Sequence, residues 1–199
     1  MFLFYFFILY FVTVFVLKSF RVWTKNKVNP LTITKGKDAH GYNGKVFSCI
    51  LLIELLVVSI YAFIPNWLVF LLPIWYLEQD TLIYIGWGLI VSSLLFVWLA
   101  QFNMKESWRI GIDEVNKTEL VTGGLFTFSR NPVFLGIVTT NIGLFLIVPN
   151  AISLLILAVT IVTLNTQIRL EEEFLAKEFG SKYSQYKNEV RRWITIKFN

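Results

Sequence analysis

Apolar runs of bilayer length recur along this chain, at Phe2 to Phe20, about Lys45 to Ile64, about Thr81 to Asn103, and Pro132 to Ile168. A membrane span needs about 20 apolar residues. The last run is too long for one span, and Pro149-Asn150 near its middle is a turn signal, so it reads as two helices in a tight hairpin. The segment Trp67 to Leu77 is too short to span and is broken by Pro73; it reads as an interfacial or re-entrant piece rich in Trp and Tyr. The expected fold is therefore all-α: a polytopic membrane protein with about five transmembrane helices, a C-terminal helical hairpin and a cytoplasmic amphipathic helix. We expect a single membrane domain over 1–199, with three N-terminal spans in 1–103 and a cofactor-binding loop, hairpin and C-terminal helix in 104–199.

Composition agrees. Of the 199 residues 56 % are hydrophobic and 16 % charged, against about 25 % charged in soluble domains. The first run has no basic stretch before it and no small-residue cleavage site, so it reads as a retained helix. With the N-terminus outside, the inner segments 18–45, 104–131 and 169–199 hold 7, 4 and 7 Lys/Arg residues, all 18 that the chain possesses. So complete a positive-inside bias supports the span count and places the C-terminus in the cytoplasm. It also explains the net charge of +5 without nucleic acid. A small Lys/Asn/Ile-rich chain of this kind suggests a bacterial cell (inner) membrane. The single cysteine, Cys49, reads as a small buried hydrophobe, and no His/Cys cluster suggests a metal.

Three polar features lie toward the inner ends of the hairpin. Ser129-Arg130-Asn131-Pro132 precedes Val133-Phe134-Leu135-Gly136. Proline suits the first turn of a helix, whose positive end attracts carboxylates and phosphates. The same residues also read as a positive-inside arginine before an ordinary helix start. Glu171-Glu172-Glu173 follows the last span directly, where a basic flank is usual. These acids are either a solvated helix segment or partners of Arg130 in a shared pocket. The lead-in Glu119-Leu120-Val121-Thr122-Gly123-Gly124-Leu125-Phe126 offers backbone and aromatics to a flat ring, or forms a plain surface loop. Beyond these, Leu170, Phe174, Leu175 and Phe179 trace an amphipathic helix. Gly180 interrupts it, and Tyr183 and Tyr186 anchor a second short helix.

Taken together these segments resemble the isoprenylcysteine carboxyl methyltransferases and their phospholipid methyltransferase relatives. The family pattern is Arg-His-Pro-x-Tyr-x-Gly, then Glu-Glu-x-x-Leu one hairpin later, then Phe-Gly-x-x-Tyr-x-x-Tyr. Here these are Arg130-Asn131-Pro132-Val133-Phe134-Leu135-Gly136, Glu171-Glu172-Glu173-Phe174-Leu175, and Phe179-Gly180-Ser181-Lys182-Tyr183-Ser184-Gln185-Tyr186. Val190, Arg192 and Trp193 follow, and the resemblance covers about 104–193.

The resemblance implies a membrane methyltransferase using S-adenosyl-L-methionine and acting on a lipophilic or membrane-associated carboxylate, thiol or amine. The cofactor residues it implies are Thr118, Glu119, Leu120, Val121, Phe126, Asn131, Pro132, Val133, Phe134 and Glu171. Arg130 and Glu172 would support them, and Glu171 or Glu172 would take a proton from an amine or neutral thiol. Trp108, Arg109 and Gln167 are the acceptor-site candidates. The chain departs from the family at four places: Asn131 stands for the usual His, Phe134 for Tyr, Thr118 for a second His, and Gln167 for the arginine four residues before the paired glutamates. Arg169 lies two residues before them instead. Membrane lipids are the expected surroundings, with no nucleic-acid or metal partner. The competing readings are an NADPH-dependent membrane reductase of sterol-reductase type and a non-enzymatic membrane protein. The stretch 118–134 offers a nicotinamide cofactor's phosphates only Arg130.

Overall fold

A computed structural model describes residues 1–26, 39–104 and 119–196. Helix α1 (Phe2–Phe11) passes through a π-helical stretch, Val12–Leu17, into α2 (Lys18–Asn26). Then come α3 (Ala39–Phe63), α4 (Asp80–Met104), α5 (Pro132–Ile147), α6 (Ala151–Phe179) and α7 (Ser181–Glu189). Four stretches are long and apolar enough to cross a membrane: Phe2–Arg21, Ala39–Phe63, Asp80–Met104 and Ala151–Phe179; α5 is a shorter apolar helix. Their outward faces carry large apolar side chains such as Leu52, Phe102 and Val162. Such a surface is stable in lipid, so the protein is an integral membrane protein.

Short 3-10 turns, Pro65–Leu71 and Trp75–Leu77, join α3 to α4. At about 2 Å per residue neither crosses a bilayer. They pack on the hairpin turn instead: Ile74 N donates to Pro149 O at 2.8 Å, and Ala151 N donates to Leu72 O at 3.1 Å. The two outer segments expected from the charge bias therefore share one end of the bundle. Trp67, Phe70, Trp75 and Tyr76 are exposed there, as suits rings at a headgroup boundary. The hairpin turn is held by a capping box in which Asn150 Oδ1 accepts from Ser153 N at 2.9 Å and Ser153 Oγ accepts from Asn150 N at 3.2 Å.

Helices α4 and α5 meet at glycines. A Cβ on Gly143 would lie 2.5 Å from Ile90 Cγ2 and 2.8 Å from Gly86 O, and one on Gly136 would collide with Val97. Close backbone approach supplies packing where lipid offers no hydrophobic drive. Ser93 and Thr140 add a hydrogen bond between these helices at 2.7 Å. Gly136 thus admits a neighbouring helix.

The structure differs from the sequence expectations at several points. The last span and the amphipathic helix are one unbroken helix, α6, because nothing between Ile168 and Phe179 interrupts the backbone. Cys49 is exposed, on the outward face of α3. Helix α3 begins at Ala39, earlier than the span expected from about Lys45, and its His40 is buried.

Candidate functional site

Helix α5 has 16 residues, about 24 Å at 1.5 Å per residue, which falls short of the ~30 Å hydrocarbon core. Helix α6 has 29 residues, about 43 Å by the same rise. The polar start of α5 therefore stops partway along α6, beside the glutamates, and Arg130 meets Glu172 there.

Glu172 is held from both sides. Arg130 Nη2 reaches its Oε1 at 2.5 Å, while Arg192 donates through Nη2 to Oε2 at 2.7 Å and through Nε to Oε1 at 3.1 Å. The Arg130 and Glu172 side chains are 8 % and 10 % exposed, so the ion pair is well shielded. Arg130 Nη1 also donates to Val190 O at 2.7 Å and Lys187 O at 3.1 Å. Its Nε is buried without a hydrogen-bond partner, leaving one donor of a well-anchored cation unspent. The Glu172 hydrogen bond holds the Arg192 guanidinium above its ordinary range.

The C-terminal segment closes over this pair. Arg130 N donates to Arg191 O at 3.1 Å, Asn131 Nδ2 to Arg192 O at 3.0 Å, and Thr195 N to Phe128 O at 2.8 Å. Gly180, at φ +52°, turns the chain from α6 into α7. Helix α7 then plants Tyr183 and Tyr186 against Phe126 and Val190, with Leu120 and Val121 alongside. Tyr186 Oη donates to Phe126 O at 2.7 Å. Burial pushes the Tyr183 phenol up to about 12, with the Glu172 charge adding to the shift.

Glu171 faces another way. Gln167 Nε2 donates to Glu171 Oε1 at 2.8 Å, and Asn43 Nδ2 of α3 donates to Gln167 Oε1 at 3.1 Å. Asn43 also donates to Thr163 O at 3.1 Å, so the relay is anchored at its far end.

The structure thus brings Arg130, Asn131, Glu171, Glu172 and Gln167 to one end of the bundle. Pro132 opens α5; Val133 is buried in the core, and Phe134 packs on its edge. Phe126, Leu120 and Val121 belong to the α7 cluster, and Glu119 is exposed. Arg169 is also exposed, on a different face of α6 from Gln167. Thr118, Trp108 and Arg109 lie outside the described residues. Sequence reasoning missed two participants. Arg192 appeared only as the tail of a motif, although a late arginine after paired acids was a usable signal. Asn43 gave no signal, because only folding brings α3 beside α6. Among the described residues no group of His, Cys, Asp and Glu is arranged to hold a metal.

A bundle of membrane-length helices with its described lysine and arginine side chains gathered at one end defines an integral membrane protein with a polar cluster at that end. The chain belongs to the phospholipid methyltransferase family, whose model matches residues 81–182. It is also 36 % identical over 72 residues to the protein-S-isoprenylcysteine O-methyltransferase of Saccharomyces cerevisiae. That stretch is 36 % of this chain and spans only 30 % of the yeast protein.

Proposed function

We propose that the protein transfers a methyl group from S-adenosyl-L-methionine to a lipophilic acceptor, with the cofactor held between the start of α5 and the glutamates of α6. The observation that carries this reading is the double clamp on Glu172, which ties together the arginine, glutamate and C-terminal stretches. The cofactor's chemistry fits the residues present. Its carboxylate suits an arginine such as Arg130. Its ammonium or ribose hydroxyls suit Glu171, and its adenine suits the aromatics Phe126 and Phe134. When bound it supplies a methyl group already activated by the adjoining positive sulfur.

The chain's own residues then have distinct tasks. Glu172 accepts from two guanidinium groups on both of its oxygens, so it supports the site and is a poor proton acceptor. Glu171 spends one oxygen on Gln167, and its other oxygen has no hydrogen bond among the described residues. Glu171 is therefore the group that takes a proton from an amine or thiol acceptor; a carboxylate acceptor needs no such help. Gln167 and Asn43 orient it. The C-terminal segment excludes water, and the rest of the catalysis is alignment. The names of the family and of the yeast relative, phospholipid and isoprenylcysteine, both describe groups with long apolar chains. This supports an acceptor that enters from the lipid. The polar end is assigned to the cytoplasm by the positive-inside bias.

Calorimetry in detergent tests the reading, with S-adenosylmethionine, S-adenosylhomocysteine and NADPH as ligands. Saturable binding of the first two, weakened at least tenfold by Glu171→Ala, is the expected result. Binding of NADPH alone, or of none by a well-folded sample, overturns it.

A further inference from the structure

Glu54 stands at the centre of α3 among leucines and isoleucines, far from the clamped glutamate. It is 6 % exposed, and among the described residues it takes part in no hydrogen bond or ion pair. A carboxyl at such a depth is costly and marks a functional position unless it is paired. It faces a cavity of about 360 Å³ between α1, α3 and α5. The rings of Phe7, Tyr10, Phe15 and Phe47 form much of the wall, and Asn141 of α5 joins Glu54 in lining it. Ile8, Phe11, Leu52 and Leu55 also line the cavity and are exposed, so its mouth opens sideways into lipid.

Two more polar groups in this wall are unsatisfied. Tyr10 Oη and Asn141 Oδ1 are buried without a hydrogen-bond partner. Asn141 Nδ2 donates to Ile137 O at 3.2 Å. A carbonyl can only accept, so that bond fixes the amide's orientation and leaves Oδ1 as the open acceptor. The wall therefore presents open acceptors on Glu54 and Asn141 in a place without bulk water. No donor of the wall meets them, for the Tyr10 hydroxyl bonds to neither. No lysine or arginine lines the cavity.

The adjoining helix is irregular at the same level. The π-helical stretch Val12–Leu17 follows Tyr10 and contains Phe15, and the side chain of Gln101 donates to Val14 O at 2.8 Å. Such π segments are frequent at functional sites.

From the carboxyl, the open amide oxygen, the aromatic wall and the lateral mouth, we propose that this cavity is a second, intramembrane binding site. Its ligand is a compact lipid-soluble molecule with an apolar body and one hydrogen-bond-donating head, an alcohol or a protonated amine. The apolar body fills the ring-lined volume and the head reaches Glu54 and Asn141. A protonated amine also gains cation–π contact with the rings. The site does not depend on the cofactor reading, because none of these residues belongs to the clamp or the Glu171 relay.

The test uses the full chain in lipid nanodiscs, with empty nanodiscs as the partition baseline. Ligand-observed NMR follows 1-adamantanol, 1-adamantylamine and adamantane. The alcohol and amine are expected to bind saturably, and adamantane at least tenfold more weakly. Glu54→Gln should weaken the amine at least tenfold and the alcohol less than threefold. Asn141→Leu should weaken both at least threefold, with Tyr10→Phe as a milder second variant. Unfolding midpoints of the variants establish that each is folded. If only the amine or only the alcohol binds, the head chemistry is narrowed to that one and the site stands. Equal binding of all three compounds, or affinities unchanged in folded Glu54→Gln and Asn141→Leu, overturns the proposal and leaves lipid chains or water in the cavity.

Discussion

Glu172 shows how much one side chain can organise. Its two oxygens engage guanidinium groups from the start of α5 and from the C-terminal segment. Removing one partner of a shielded ion pair costs about 3–5 kcal/mol, because the charges left behind stay desolvated. Glu172→Gln leaves two arginines facing each other, so we expect a loss of that order in thermal or denaturant unfolding. An unchanged midpoint would mean the clamp is idle. Tyr183 makes a separate prediction. Its unfolded phenol releases a proton near 10 and the folded one near 12. The folded state therefore keeps a proton that the unfolded state gives up, and stability that is full below pH 10 falls as pH climbs toward 12. Tyr183→Phe should flatten that alkaline loss. It should not abolish it, since burial pushes the Tyr186 phenol up as well. Stability curves from pH 9 to 12 for the two proteins decide the matter.

At the scale of elements, the unequal lengths of α5 and α6 decide where the polar cluster sits. A short helix beside a long one sets its polar start against the middle of its neighbour, and α7 folds back over the junction after Gly180. The glycine contact between α4 and α5 holds that geometry. Any side chain at Gly143 must displace Ile90 or the α4 backbone. Gly143→Leu is expected to cost about 1–3 kcal/mol, seen as a lower unfolding midpoint in nanodiscs. Gly88, on the partner helix α4 but with nothing within 4 Å of an added Cβ, supplies the control: Gly88→Ala should leave the midpoint unchanged or raise it.

For the whole molecule, the connections 65–77 and 148–150 lie at one end and the Arg130–Glu172–Arg192 clamp lies at the other. The positive-inside bias predicts that the clamp end faces the cytoplasm. In a Cys49→Ser background, Gln79→Cys is expected to react with an impermeant maleimide on intact cells. Lys182→Cys should react only after permeabilisation. The opposite pattern would invert the orientation and place the polar site outside.

The apolar helices, the hairpin turn at Pro149-Asn150 and the gathering of basic residues at one end were legible in the sequence, although α5 is shorter than the full span expected there. Lipid imposes length and apolarity on each span separately, and those are local properties of the chain. The pairing of Arg130 with Glu172 was also within reach, because a hairpin returns both residues to the same level. What the tertiary structure alone decided depends on rotation about helix axes and on contacts between distant helices. Arg192 as the second arm of the clamp, Asn43 behind Gln167, and Cys49 turned outward all come from that packing. So does the cavity at Glu54: a lone acid in an apolar run is visible in the sequence, but its unpaired state and its neighbours Tyr10 and Asn141 exist only once α1, α3 and α5 are assembled.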